Sequence, residues 1–356
     1  MKIGIVGAGA IAFGVAAYLE REGHQPTVWS PTGKRTMALD AGVPMRLTGA
    51  LTGEFRPGVA HSCAALIDDA QVVIVCVPGY GHKAVFDAMA PHLRDGQPVI
   101  ISSHMSFSAL YLSKLLGERG VDLPIVVWGT TLTTGRQTSP TELTVPTVRS
   151  TIDLATLPQR YLTEGMELCT ALFGDRFTPR EGLLAIALSN LNPQNHLAIA
   201  LLNLTRMERA EEWNQFQNVT PTVGHLIEML DAERLAIARA FGVRVKTVRE
   251  HFSLSFHVPE RSVCEMNQEI FLAGRGGNGP RTIESRYVLE DVPFGLLPTA
   301  RLGRLAGCPA PLHEGGIALL SAAYGRDLPA ANDLLPALDI DTLPTLELLA
   351  RLRAGY

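Results

Sequence analysis

Apolar positions in the first half of the chain fall into short continuous runs separated by stretches of helical periodicity. Lys2–Val6, Pro26–Trp29, Gln71–Val77, Pro98–Ser102 and Pro124–Trp128 each predict a strand. Continuous apolar strands of this kind belong to a parallel sheet covered by helices on both faces. Segments of 3.6-residue periodicity up to Leu19, over Gly81–Leu93 and over Phe107–Arg119 predict the intervening helices. Strands alternating with helices of this length make a doubly wound, mainly parallel α/β domain. After Phe177 the pattern changes: Glu181–Leu191, Pro193–Trp213, Thr222–Phe241, Ser262–Ala273 and Leu312–Tyr324 all predict helices, and few strand-like runs remain. The sequence therefore divides at Thr178-Pro179 into an α/β domain, residues 1–178, and an all-helical domain, residues 179–356.

The length of 356 residues suits two domains with separate cores, and a hydrophobic fraction of 46% excludes a largely disordered chain. A net charge of −4 argues against nucleic acid or an anionic membrane as partner. No apolar run is long enough to span a bilayer. Ile3 to Leu19 carries no charge and superficially resembles a secretion signal, but Gly4, Gly7, Gly9 and Gly14 would weaken such a helix. The five cysteines, Cys63, Cys76, Cys169, Cys264 and Cys308, have no metal or redox spacing. They read as reduced thiols of a cytoplasmic protein with no metal site.

The glycines have a better explanation. Gly7-x-Gly9-x-x-Ala12 follows a strand and opens a helix, the context of a Rossmann dinucleotide turn. The first glycine permits the turn, the second admits a pyrophosphate, and the small third residue lets helix pack on strand. The phosphates would rest on N–H groups of Gly7, Gly9, Ala10 and Ile11 at the helix start. The second strand ends in Trp29-Ser30-Pro31-Thr32-Gly33-Lys34-Arg35, with no acidic residue for a free ribose hydroxyl. Ser30, Lys34 and Arg35 suit a 2′-phosphate, which favours NADP over NAD. Pro78 and Gly79 end another central strand, on the side where a nicotinamide lies.

A nicotinamide enzyme needs a proton donor, commonly a histidine held by a carboxylate. Among ten histidines, His24, His61 and His225 read as surface or structural, and His104, just past a strand end, is the second choice. His196 leads. Asn192 reads as a helix cap and Pro193 as a first helical residue, which puts His196 in the opening turns of an apolar helix. Asn192, His196 and Asn203 share one face, which either forms a buried structural network or lines a site. A second cluster, Ser285-Arg286-Tyr287-Val288-Leu289-Glu290-Asp291, supplies what the histidine needs. Asp291 can hold an imidazole in one tautomer, and Arg286 can clamp a carboxylate. The bland alternative is Arg286 paired with Glu290-Asp291 on the surface.

Ser285-Arg286-Tyr287 with Glu290-Asp291-Val292-Pro293-Phe294-Gly295 resembles the signature of the octopine/nopaline (opine) dehydrogenases. The Asn192-Pro193 helix carrying His196 and Asn203, Asp231-Ala232-Glu233-Arg234, and Phe241-Gly242-Val243 are similar too. The resemblance implies a Rossmann domain followed by a helical one. It also implies NAD(P)H-dependent reductive condensation of a 2-oxo acid with an amino acid, giving a secondary amine. On this resemblance His196 and Asp291 are the acid–base pair, and Arg286 lies at the substrate. Asn192 and Asn203, on the face of His196, are candidate substrate contacts. Ala12 in place of a third glycine is a benign departure, whereas the residues after Trp29 differ from the single arginine usual there, which leaves NAD open beside NADP.

Two other functions are open to a chain of this pattern. A ketopantoate-reductase-like 2-oxo acid reductase pairs the same two domain types but uses a lysine from the helical domain. Of five lysines, only Lys246 follows residue 114, and it is not on the Asn192-Pro193 helix. A non-catalytic dinucleotide sensor would keep Gly7 and Gly9 without a His, Asp and Arg set. Leu-rich helical faces leave a homodimer open.

Overall fold

The computed structural model describes all 356 residues. Packing divides the chain into two units, Met1–Ala187 with Leu346–Tyr356, and Leu188–Thr345. The first unit holds twelve strands: β1 Lys2–Val6, β2 Gln25–Trp29, β3 Met45–Gly49, β4 Gly53–Phe55, β5 Gly58–Val59, β6 Val72–Val75, β7 Val99–Ile101, β8 Ile125–Trp128, β9 Thr133–Ser139, β10 Glu142–Val148, β11 Ile152–Leu157 and β12 Phe177–Pro179. Eight of them form one sheet in the order β12-β11-β8-β7-β6-β1-β2-β5. Its pairs are parallel except β11 with β8, which is antiparallel.

The parallel register explains the apolar runs. Val28, Ile5, Ile74, Ile100 and Val126 are successive partners across five strands, and all five are fully buried. Each such side chain contributes roughly 1.5–3 kcal/mol on burial, and a polar residue in this row would also leave its polar atoms unpaired. The helix Ala10–Arg21 follows β1 and buries Ala12, Phe13, Val15, Ala16 and Leu19. The strand order steps from β1 to β2 on one side and to β6 on the other, the reversal at which open α/β sheets bind ligands beyond the strands' carboxyl ends.

A second, four-stranded sheet ordered β4-β3-β10-β9 was not anticipated. Gly14 of the first helix lies so near β9 that a Cβ there would meet Thr133 Oγ1 at 2.6 Å. The junction expected at residue 178 also falls elsewhere. Phe177–Pro179 is an edge strand of the large sheet, and the last helix, Thr345–Ala354, returns largely to the first unit.

The second unit is helical, as expected. Its core gathers Leu197, Ile199, Met207, Ile227, Leu230, Met266, Ile270, Val288, Val292 and Leu296. The helix expected over Pro193–Trp213 is two, Asn192–Leu202 and Leu204–Glu208, broken at Asn203. Arg234 is fully buried and pins a connection together. It donates to Asp231 Oδ1 at 2.9 and 2.6 Å, to the Lys246 carbonyl at 2.6 Å and to the Leu188 carbonyl. Asp231 Oδ2 accepts from Val248 N at 2.9 Å. The Asp231–Arg234 motif is thus a structural pin.

Candidate active site

His196 stands in the second turn of the helix Asn192–Leu202, and Asp291 precedes a π-helical turn over Val292–Leu296. Gly295 brings these two elements together. A Cβ on it would lie 2.3 Å from Pro193 Cγ, so only glycine allows this approach. Pro293 is held by Asn332, whose Nδ2 donates to its carbonyl at 2.7 Å. His196 Nδ1 then lies 2.7 Å from Asp291 Oδ2, with side chains 13% and 2% exposed. A carboxylate accepts, so Nδ1 carries the proton of this bond and Nε2 is the nitrogen left for proton transfer. The buried aspartate fixes both the tautomer and the ring orientation.

Tyr287 adds a contact that the sequence did not disclose. Its ring stacks on the His196 imidazole with centroids 3.5 Å apart and planes 12° from parallel. Ser285 caps the short helix Arg286–Leu289 by accepting from Tyr287 N, and the Tyr287 hydroxyl donates to Gln215 Oε1 at 2.5 Å. Burial first, and the Asp291 charge second, push the phenol up to about 12, so it stays a donor. Gln215 N in turn donates to the Gly277 carbonyl at 3.0 Å, tying the glycine-rich connector to the residues behind the histidine.

Arg286 and Asp291 do not pair. Arg286 Nε lies 3.1 Å from Glu290 Oε2, with Arg286 62% exposed and Glu290 3% exposed. A buried carboxylate thus holds the root of an exposed guanidinium, leaving its outer face open to an anion. The two adjacent acids have separate partners.

Asn192 and Asn203 do not join this group. Asn192 is exposed, and Leu191, not Asn192, is the cap residue; Asn190 Oδ1 accepts from Asn192 N at 3.1 Å. Asn203 is buried where the helix breaks and turns its Nδ2 onto the Ile199 carbonyl at 3.0 Å. Its spacing from His196 matches a helical face, but the helix ends before it.

A second histidine–carboxylate pair is structural. His313 Nδ1 lies 2.7 Å from Glu233 Oε2, and Gln194 Nε2 donates to His313 Nε2 at 3.1 Å. His313 is completely buried. Burial works against the Glu233 charge, but His313 and the N–H groups of Leu312 and His313 together hold its carboxyl below the usual range. Both imidazole nitrogens are committed, so this ring has nothing to offer a substrate.

In the first unit, the glycine turn fits a dinucleotide. Gly7 has φ +131°, donates to the Trp29 carbonyl at 2.8 Å, and would place a Cβ 2.6 Å from the Cys76 carbonyl. Gly9 caps the first helix, and Ala10 and Ile11 begin it half-buried, with no acidic residue in that turn to repel a phosphate. Arg35 Nη1 lies 3.6 Å from where a Gly9 Cβ would stand, so a cation overhangs the turn. Ser30 accepts through its carbonyl from Gly33 N, and Lys34 is exposed. Pro78 is exposed and Gly79 buried in the turn beyond β6. Lys246 is exposed, on the connection between the helices Pro221–Ala240 and Val248–Phe256.

Comparison with known proteins decides the lineage. The opine dehydrogenase of Arthrobacter sp. (strain 1C) is 30% identical over 345 residues, 95% of each chain. The chain belongs to the opine dehydrogenase family. Residues 179–324 match the helical domain of the NAD/NADP octopine/nopaline dehydrogenases, and residues 3–103 match the ketopantoate reductases. An octopine dehydrogenase solved with NADH and L-arginine aligns with TM-score 0.81 over 99% of this chain and 98% of its own, at 17% identity. A yersinopine dehydrogenase with bound NADP+ aligns with TM-score 0.74 over 98% and 99%, at 15% identity. The protein is thus an NAD(P)-dependent oxidoreductase of this family, and the ketopantoate reductases are more distant relations.

Proposed function

We propose that this opine dehydrogenase joins a small 2-oxo acid to the amino group of an amino acid and reduces the product to a secondary amine, with NADP(H) preferred over NAD(H). The observation that carries the proposal is the His196–Asp291 pair, 2.7 Å apart and stacked on Tyr287, in a chain of this family. Gly7, Gly9, Ala10 and Ile11 would hold the dinucleotide phosphates, with Arg35 above them and Ser30 and Lys34 nearby for a 2′-phosphate. Pro78 and Gly79 would border its nicotinamide end. When bound, the dinucleotide supplies the hydride that reduces the imine carbon.

The protein's own part is binding and proton transfer. Arg286, steadied by Glu290, receives the oxo acid's carboxylate. As the amino group adds to the carbonyl, His196 Nε2 takes up the protons that its nitrogen loses and passes them to the carbonyl oxygen, which departs as water. In the reverse direction it removes the proton from the secondary amine. Asp291 keeps the imidazole in the tautomer that does this and stabilises its cation, help worth roughly 10²–10⁴ in rate. Asn203, whose amide is committed to the Ile199 carbonyl, has no part in these steps.

Five free cysteines suit a reducing cytoplasm. No helix is long and apolar enough to cross a membrane. The test of the activity is reduced-dinucleotide consumption with pyruvate, 2-oxoglutarate and related acids against an amino-acid panel. Consumption that requires both partners supports the proposal. Equal consumption with an oxo acid alone favours a simple 2-oxo acid reductase and overturns it.

A further inference from the structure

His104 follows β7 by three residues, in a segment that no step above uses. It is 3% exposed, its backbone N–H donates to the Trp128 carbonyl at 2.9 Å, and neither ring nitrogen has a hydrogen-bond partner. His82, beyond β6, is completely buried; its Nε2 is 3.1 Å from the Val77 carbonyl, so it donates there, and its Nδ1 is left bare. The hydroxyl of Ser108 is also buried without a partner. Buried polar atoms are normally satisfied, and bare ones on the segments that follow two neighbouring strands need a cause. The backbone gives a second sign. Ser103, Ser106 and Phe107 have φ of 68°, 48° and 54°, three left-handed non-glycine residues within five positions. Such strain collects in ligand clamps.

Charge and position identify the ligand. Burial pushes the His104 imidazole down to about 3, with the nearby His82 ring further opposing its protonation, and burial pushes His82 down to about 4. Both rings are therefore neutral at physiological pH. Two neutral rings offer an N–H and lone pairs rather than positive charge, which suits an uncharged polar group. A neutral His104 has one bare N–H and one bare lone pair, and His82 Nδ1 adds a second lone pair. The two rings lie close enough to influence each other electrostatically, and their joint complement is one acceptor and two N–H donors, which describes a primary carboxamide. Both histidines lie beyond the carboxyl ends of β6 and β7, on the side of β1 opposite β2. A dinucleotide held at the Gly7 turn and the β2 end extends its nicotinamide toward that side.

We propose that His104 is a cofactor-specificity residue, hydrogen-bonded to the carboxamide of the nicotinamide when the dinucleotide is bound. The inference rests on the dinucleotide reading of the glycine turn. The ring nitrogens are covered by their surroundings, so the contact requires the left-handed Ser103–Phe107 segment to give way.

The test compares binding of NADPH with that of its 3-acetylpyridine analogue, whose methyl ketone keeps the acceptor and lacks the N–H donors. Dissociation constants are measured by fluorescence titration in the unaltered enzyme, in His104→Ala and in His104→Gln. The unaltered enzyme is expected to favour NADPH about fivefold or more, the worth of one net hydrogen bond. His104→Ala should bring the ratio within twofold, and His104→Gln, which retains a donor and an acceptor, should restore part of it. An unchanged ratio in both variants overturns the proposal, as does a ratio near one in the unaltered enzyme. So does a variant that raises only the KM of the oxo acid or amine. An unaltered enzyme that binds neither dinucleotide refutes the underlying reading as well, which separates the two failures.

Discussion

Replacing Asp291 by asparagine preserves shape and removes the charge that holds His196. The bond it alters is 2.7 Å long between side chains 2% and 13% exposed, so solvent screens it little. A charge-assisted hydrogen bond in such a setting contributes about 1.5–3 kcal/mol, or roughly 10- to 160-fold in an equilibrium or rate. An asparagine amide that turns its N–H₂ toward Nδ1 does further harm, because it selects the tautomer with the proton on Nε2, where the reverse reaction needs a lone pair. The loss therefore lies between about tenfold and the 10²–10⁴ ceiling of general acid–base catalysis. The assay is initial-rate consumption of reduced dinucleotide with saturating oxo acid and amine, beside a dinucleotide titration as control. The expected result is kcat down at least tenfold with the dinucleotide dissociation constant unchanged. A loss under threefold would refute the role given to Asp291.

Tyr287→Leu removes the stack on His196 and should lower kcat about two- to tenfold, in line with 0.5–1.5 kcal/mol for a close aromatic pair. Tyr287→Phe keeps the ring and should stay within threefold, and equal losses in both would move the role to the hydroxyl. Glu290→Gln loosens Arg286, so the KM of the oxo acid should rise about two- to tenfold with kcat little changed; the modest size reflects the exposed guanidinium. Stability should depend on pH through His82. Its imidazole is held at about 4 when folded against 6.5 when free, so between these values the unfolded chain binds the extra proton. Stability is then full above about pH 6.5 and falls as the pH drops toward 4, by on the order of 3 kcal/mol for this residue. Urea denaturation of the unaltered enzyme and of His82→Phe across that range checks it, the variant showing the flatter profile.

The sequence disclosed those features whose physics is local. The strand Lys2–Val6 was expected at both its ends, because an apolar run stopping at a glycine turn has few other readings. The two halves of the His196–Asp291 pair were each visible, His196 from its place in a polar row on an apolar helix and Asp291 from its charged cluster. Family resemblance assigned them their joint role. What escaped depended on short elements or distant partners. The strand β3 does alternate, Met45 and Leu47 buried with Arg46 and Thr48 exposed, but over too few residues to stand out. Tyr287 on His196 and Gln215 on Tyr287 join positions far apart in the chain, and no periodicity records them. Asn203 shows the opposite error. A spacing that is correct for a helix misleads where the helix stops, and there its amide serves the Ile199 carbonyl instead.

The most direct test of the central claim follows the hydrogen delivered to carbon. NADPH deuterated at the transferred position is supplied with a 2-oxo acid and an amino acid, and the products are resolved by mass spectrometry. One deuterium is expected in a secondary amine joining the two carbon skeletons, with no product when the amino acid is omitted. Deuterium appearing in the 2-hydroxy acid, at the same rate with or without the amino acid, would contradict it.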